Sequence, residues 1–317
     1  MARFIQVHAV HGQALVREAA AGLLQPHAEA SPKFFYDALG SRLFDAITEL
    51  PEYYPTRTEA AVMAAREPEI AAAVRAALGP GFTMVDLGAG SCTKAARLFE
   101  AVAPARYVAV DISADHLRDA IGGLQRQHPA LEMVGLGMDF SARLVLPPGL
   151  VEGPVLVFYP GSSIGNFTPE QALRLLREAR ALAPHSALLI GVDRVKDAAT
   201  LEAAYDDELG VTAAFNRNLL KHLNALLGTD FRVRQWRHRA LWSAAEGRIE
   251  MHLEAREALT VRWPGAERRF AAGERIHTEN AYKWQPPAFE ALLRRAGYGA
   301  VTHWTDARGW FSVFLAV

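Results

Sequence analysis

The chain has one cysteine, Cys92, among 317 residues. No intrachain disulfide can form, and a reducing compartment is expected. Long apolar runs are missing too. None approaches the ~18 residues of a membrane-spanning helix. Arg17 and Glu18 interrupt the N-terminal stretch where the apolar core of a signal peptide would lie. No signal peptide or membrane partner and a cytoplasmic location are therefore expected. The chain also lacks an excess of either charge: 34 Lys and Arg stand against 35 Asp and Glu, a net charge of −1. That balance disfavours a nucleic-acid partner, whose binding depends on neutralising phosphates. There is no internal repeat and no low-complexity segment. The remaining composition, half hydrophobic and 22% charged, is that of a globular protein, and its length suits one large domain or two.

Short runs rich in Val, Leu and Ile recur at 82–89, 107–112, 131–136, 155–160 and 187–193. Segments of helical period separate them at 93–103, 114–127 and 169–183. Thr168, Pro169, Glu170 and Gln171 supply the capping residue and first-position proline of a helix start. The alternation predicts an α/β fold with a doubly wound parallel sheet, and strands apolar throughout predict helices over both faces. The pattern then changes. Residues 197–227 read as helical, whereas 231–242 ("FRVRQWRHRALW") and 248–263 ("RIEMHLEAREALTVRW") alternate with period two, as half-exposed antiparallel strands do. A helix at 288–296 and two strands, "YGAVTHWT" and "WFSVFLAV", close the chain. A sheet interrupted after its fifth strand and completed at the C-terminus is expected. The insertion and the first ~55 residues would form a second domain.

The stretch "MVDLGAGSCTKAARLFEA", residues 84–101, reads as strand, glycine turn and helix. A phosphate-binding P-loop requires Lys-Ser/Thr after its last glycine; here Thr93 precedes Lys94 and Ala95 follows, so the pattern fails. A dinucleotide fingerprint requires a third glycine where Thr93 stands, so that match is partial. S-adenosylmethionine is the third reading. It carries no phosphate and asks chiefly for close backbone approach at Gly88 and Gly90. Asp111, ending "YVAVDIS", could accept both ribose hydroxyls, although a carboxylate there serves NAD equally. Asp139 in "GMDF" could accept from the adenine amine, with Phe140 against the ring; a loop or capping aspartate is the plain alternative. Lys94, in the first helical turn, is placed either to neutralise the donor's carboxylate or to sit in solvent. Cys92 reads as a small residue of the turn.

At this point the chain resembles a known family, the histidine-specific S-adenosylmethionine-dependent Nα-methyltransferases of ergothioneine biosynthesis. The resemblance runs from about residue 30 to the end. It rests on "SPKFFYDALGSRLFDAITELPEYYPTRTEA", "VDLGAGSCTK", "YPGSSIGNFTP", "GVDRVKDAATLEAAYDDELGVTAAFNRNLL", "RIEMHLEAR" and "TENAYKW". It implies a Rossmann-like class I methyltransferase sheet with an antiparallel last strand, in a domain of 58–196 plus 285–317. It also implies an α+β substrate-binding domain of 1–57 plus 197–284. Gly88, Gly90, Lys94, Asp111, Asp139 and Phe140 would hold S-adenosylmethionine, with S-adenosylhomocysteine as product. Asn166 and Tyr205 would hold the carboxylate of free L-histidine. Tyr53, Met251, Glu279 and Ala281 would face its ring. Tyr36, the Gly161 backbone and Asn166 would form the catalytic surroundings of the amine, which takes up to three methyl groups. One position departs: the family commonly has a ring-bonding serine where Ala281 stands, and a lost neutral hydrogen bond is worth ~1 kcal/mol.

The resemblance implies a small-molecule substrate, no nucleic acid, no metal and a monomer. Taken on residue type alone, Tyr53 reads as a turn staple, Asn166 as a helix-entry residue, and Tyr205 and Met251 as core. Asp206-Asp207-Glu208 reads as a solvated face and "RVRQWRHR" as the wet side of a strand. The i,i+3 pair His8 and His11 has metal spacing but no acidic or cysteine partner, and reads as structural.

Overall fold

The computed structural model describes residues 2–7 and 12–317. The strands in chain order are β1 (Arg3–Gln6), β2 (Thr83–Leu87), β3 (Arg106–Asp111), β4 (Glu132–Gly137), β5 (Val155–Tyr159), β6 (Ser186–Asp193), β7 (Trp236–Ser243), β8 (Arg248–Ala255), β9 (Leu259–Trp263), β10 (Ala266–Phe270), β11 (Arg275–Tyr282), β12 (Val301–Thr305) and β13 (Phe311–Ala316). The α-helices are α1 (Gly12–Leu23), α2 (Ala38–Thr48), α3 (Tyr54–Leu78), α4 (Thr93–Ala96), α5 (Phe99–Val102), α6 (Ala114–Gln127), α7 (Pro169–Arg180), α8 (Ala198–Ala203), α9 (Val211–Leu227) and α10 (Pro286–Arg295). They divide into two compact units. The first holds β1, Pro55–Val195 and Tyr282–Val317; the second holds Lys196–Ala281 and the described part of Ala9–Tyr54.

The first unit is built on one sheet of order β1-β4-β3-β2-β5-β6-β13-β12. β13 runs antiparallel to both neighbours, and the other pairings are parallel. The period of two splits each apolar strand between two cores. Val85, Val108, Val110 and Val157 face one way, with Leu175, Leu176, Phe289 and Leu293 of α7 and α10. Met84, Tyr107, Leu156 and Phe158 face the other, with Ile70 and Val74 of α3 and Leu117 and Ile121 of α6. This double cover is why the strands carry no polar alternation. From β2 the chain steps outward through β3 to β4 and returns to β5 on the other side of β2, so the order reverses between β2 and β5. Ligands in open α/β sheets bind at such a point, beyond the carboxyl ends of the strands.

In the second unit β11, β8 and β7 form one sheet and β9 and β10 a hairpin. Trp236, His238 and Ala240 are buried while Arg237 is exposed, as the period-two reading requires. Arg237, Arg239 and Arg275 all pair with Glu254, a buried residue, so part of the basic stretch is bound up in structure.

Several sequence expectations need correction. Residues 3–6, assigned to the second domain, form the edge strand of the large sheet, in register with Val134–Gly137. The helix expected over 93–103 is two single turns, α4 and α5, because Leu98 N–H bonds back to Ala95 O at 2.9 Å and the turn buries both Leu98 and Phe99. The helix expected over 197–227 breaks at "YDDELG". Asp207 is buried there rather than solvated, and its carboxylate accepts from Val211 and Thr212 N–H at 2.9 and 2.7 Å, capping α9. The strand expected over 248–263 splits into β8 and β9, which pair with different partners. The strand expected from 231 starts at Trp236, after a 3-10 turn at Val233–Gln235. His8 and His11 lie outside the described residues.

Candidate active site

In the first unit β2 runs into a loop with Gly88, Gly90 and Cys92 at φ of 68°, 51° and 61°. Gly88 and Ala89 N–H both donate to Val110 O, at 2.9 and 3.1 Å. Gly90 N–H donates to Asp111 Oδ2 at 2.9 Å, and Ser113 N–H to Oδ1 at 2.8 Å. The loop is thereby bound to the carboxyl end of β3. A Cβ placed on Gly88 or Gly90 would meet no atom within 4 Å, so both glycines border open space. The helix that follows is a single turn of four residues. A helix dipole falls off within one turn and sums over few peptides here, so it offers little to a phosphate. That agrees with the failed P-loop pattern.

Asp111 is half-buried, and burial raises its pKa against the two N–H bonds it accepts, from Ser113 and Gly90. A carboxylate has about four lone-pair sites, so each oxygen keeps capacity for one ribose hydroxyl. Met138 N–H donates to Asp111 O at 2.9 Å and brings the next loop alongside. In that loop Asp139 Oδ1 accepts from Ser141 N–H at 2.9 Å, and Phe140 stands edge-on to Tyr159 at 5.9 Å. A nucleoside without phosphate fits this donor set: open glycine backbone, a diol acceptor, an amine acceptor and an aromatic edge.

Beneath the loop, Asp86 is buried and accepts from the Tyr107 hydroxyl at 2.7 Å, while its Oδ1 has no hydrogen-bond partner among the described residues. Burial pushes its pKa up to about 7, against the Tyr107 bond. The unfolded chain releases this proton near pH 4. The stability contributed by protonated Asp86 is therefore complete below about pH 4 and lost as pH rises through about 7, a swing on the order of 4 kcal/mol. Asp86→Asn should raise the Tm by several degrees more at pH 8.5 than at pH 5. Equal shifts at the two pH values in scanning calorimetry would contradict this titration.

Lys94 does not sit loose in solvent. Its Nζ lies 2.8 Å from Glu59 Oε2, with the carboxylate side chain 3% exposed and the lysine 35%. Glu59 Oε1 accepts from Gly161 N–H at 2.8 Å. Gly161, at φ 80°, opens the turn after β5, and Asn166 ends the 3-10 helix Ser163–Asn166 in the same connection. The first unit thus gathers Gly88, Gly90 and Asp111 at one loop and links Lys94 to Gly161 through Glu59.

In the second unit Tyr36, Tyr53 and Tyr205 belong to one aromatic group. Tyr36 meets Phe44 and Phe215 edge-on at 5.8 and 5.9 Å, Phe44 meets Tyr53 at 6.2 Å, and Tyr53 meets Tyr205 at 6.2 Å. The Tyr205 backbone is fixed by a residue the sequence reading passed over. His238 Nε2 lies 2.7 Å from Tyr205 O, and His238 Nδ1 lies 2.8 Å from Asn216 Nδ2. The same Asn216 amide also donates to His252 O at 3.1 Å. Nδ1 is therefore the acceptor and Nε2–H the donor, which is a neutral imidazole; burial pushes its pKa down. Thr278 Oγ1 donates to Met251 O at 3.0 Å, setting β11 beside β8. Glu279 and Ala281, alternate residues of β11 and both buried, share one face. Among the described residues no group of three or more His, Cys, Asp or Glu is placed to hold a metal.

A doubly wound parallel sheet with one reversed strand at β13, and an open glycine loop tied to Asp111 at its switch point, are the architecture of a Rossmann-like methyltransferase. The model of the family described as histidine-specific methyltransferase, SAM-dependent, matches residues 15–317, and the chain belongs to that family. It is 42% identical over 312 residues to histidine N-alpha-methyltransferase of Mycolicibacterium smegmatis, covering 96% of this chain and 95% of the relative. It is 41% identical over 311 residues to the protein of the same name from Mycobacterium tuberculosis, covering 96% and 94%. An N-methyltransferase of Aspergillus fumigatus is 29% identical over 318 residues, covering 95% and 84%.

Proposed function

We propose that the protein transfers methyl groups from S-adenosylmethionine to the α-amino nitrogen of L-histidine, up to the trimethylated betaine hercynine, as in ergothioneine biosynthesis. The observation that carries this reading is the family match across residues 15–317. The first unit serves as the donor domain and the second as the amino-acid domain. Gly88, Gly90, Asp111, Asp139 and Phe140 hold the nucleoside, and Lys94 faces the donor's carboxylate. Asn166 and Tyr205 take the carboxylate of histidine, Tyr53, Met251 and Glu279 its ring, and Tyr36 and Gly161 its amine.

When bound, the sulfonium supplies an electrophilic methyl group, and transfer is an in-line displacement on that carbon. The chain's task is to present a neutral amine with its lone pair aligned and to keep water out. Hydroxyl and carbonyl acceptors suit that task. Tyr36 and the Gly161 backbone orient the amine without holding it as ammonium, whereas a carboxylate beside it would favour the charged form. The ring-recognising carboxylate, Glu279, therefore belongs at the far end of the substrate. A ring N–H donating to that carboxylate makes a charge-assisted hydrogen bond that a plain phenyl ring cannot make, so the site favours imidazole.

Ala281 supports a second reading, N-methylation of another aromatic amino acid such as tryptophan, because it is buried and has no hydroxyl to offer a ring nitrogen. Mass spectrometry on a panel of free amino acids with the donor separates the two. Histidine should gain up to three methyl groups; gain on tryptophan with none on histidine would move the assignment. Ala281→Ser should lower the histidine KM about fivefold, the equivalent of one neutral hydrogen bond. A KM that stays level or rises would remove Ala281 from the ring site.

A cytoplasmic, monomeric enzyme without nucleic-acid or membrane partners belongs to the same proposal. No helix among the described residues is long and apolar enough to cross a membrane.

A further inference from the structure

Glu59 lies in "YPTRTEA", where no motif gives it a task, and it is buried at 2% exposure. A buried carboxylate is retained only where its partners satisfy it. Its two partners come from opposite sides of the switch point: Lys94 from the turn after β2, at 2.8 Å, and Gly161 N–H from the turn after β5, at 2.8 Å. The space it occupies is kept clear by the sequence. A Cβ on Gly191, within β6, would lie 1.9 Å from Glu59 Oε1, and one on Gly161 would lie 3.0 Å from Lys94 Nζ. The Gly161 turn is fastened on its other side as well. Ser162, at φ 59°, accepts Asp193 N–H at its Oγ at 2.9 Å. Both anchors must hold for the Gly161 peptide to keep one orientation, and Glu59 is the one that also grips Lys94.

We propose that Glu59 is a positioning residue for methyl transfer. It holds the Gly161 amide, beside the amine acceptor, and the Lys94 ammonium, beside the donor's carboxylate, in a single rigid arrangement. This rests on the assignment of Gly161 and Lys94 to the methyl-transfer site. Because a 1 Å misplacement of an aligned nucleophile is costly to the rate, loss of Glu59 falls on kcat more than on histidine KM. Partly methylated histidine should also accumulate, since each later methylation needs the bulkier amine turned back into line.

The test compares wild type with Glu59→Gln and Glu59→Asp, and with Lys94→Met alone and combined with Glu59→Gln. Glutamine keeps the size and an acceptor but loses the charge facing Lys94; aspartate keeps the charge but falls a methylene short. Glu59→Gln should lower kcat about thirtyfold or more with histidine KM within about threefold. It should weaken S-adenosylhomocysteine binding about fivefold in calorimetry, and the double variant should lose much less than the product of the two single losses. Amide exchange by mass spectrometry should quicken in the peptide holding Gly161 and stay unchanged in β13. Wild-type kcat in Glu59→Gln, or unchanged exchange at Gly161, would overturn the proposal. A variant that fails to fold is set aside by its exchange in β13, and Glu59→Asp then carries the comparison. The exchange and S-adenosylhomocysteine measurements need no turnover of histidine, so they stand even if the amino-acid assignment fails.

Discussion

Alanine in place of Glu279 should raise the KM for histidine between about tenfold and about 150-fold, because a hydrogen bond to a charged group is worth about 1.5–3 kcal/mol. The residue is buried at 8% exposure on β11, next to Thr278, whose hydroxyl holds the strand against Met251. In the proposed ring site its carboxylate would take a charge-assisted hydrogen bond from an imidazole N–H, a bond that a phenyl ring cannot make. The same substitution should therefore relax discrimination, bringing phenylalanine and tryptophan closer to histidine. Donor binding should be untouched, since Glu279 belongs to the second unit and the glycine loop to the first. Steady-state kinetics and calorimetry with S-adenosylhomocysteine separate the two effects. Comparable losses for both ligands would mean that the substitution disturbs the fold rather than the ring site.

Asp111→Ala should cost more. Two hydrogen bonds from ribose hydroxyls to a carboxylate are together worth about 3–6 kcal/mol, or about two to four orders of magnitude in donor affinity. The variant also releases Gly90 and Ser113 N–H, which now donate to Oδ2 and Oδ1, so the glycine loop loses its tie to β3. Asp111→Asn retains oxygen and size and should recover part of the loss. Because a protonated carboxyl accepts fewer bonds and burial raises this pKa, donor affinity should also weaken toward acid pH in the wild type and level off in Asp111→Asn. Unchanged affinity for S-adenosylhomocysteine in Asp111→Ala would remove the ribose assignment.

The sheet was legible because β2 to β6 are buried on both faces and so carry runs of Val, Leu and Ile that need no neighbour to explain them. β1 was not. "RFIQ" is four residues long with a mixed burial pattern, and it is a strand only because β4, some 130 residues later, offers a free edge. The break between β8 and β9 was hidden for a similar reason, since period two persists through a turn when both flanking segments are strands. Among the candidate site residues, the glycines and strand-end carboxylates were picked out by their position in the sequence, and the structure puts Gly90 and Asp111 in contact. Glu59 and His238 were not picked out. Glu59 meets Gly161 across 102 residues of sequence, and His238 meets Tyr205 across 33. Such contacts carry no local period, and nothing in the sequence reading singled out either residue. The solvated reading of Asp207 failed in the same way, because a capping role depends on where the next helix starts.

The most direct measurement uses histidine labelled with nitrogen-15 at the α-amine and S-adenosylmethionine labelled with carbon-13 in its methyl group. Nuclear magnetic resonance of the product should show the labelled methyl carbons coupled to the α-nitrogen, and mass spectrometry should count up to three of them. Methyl carbons bonded to the imidazole nitrogens, or histidine recovered unchanged while another amine carries the label, would contradict Nα-methylation of histidine.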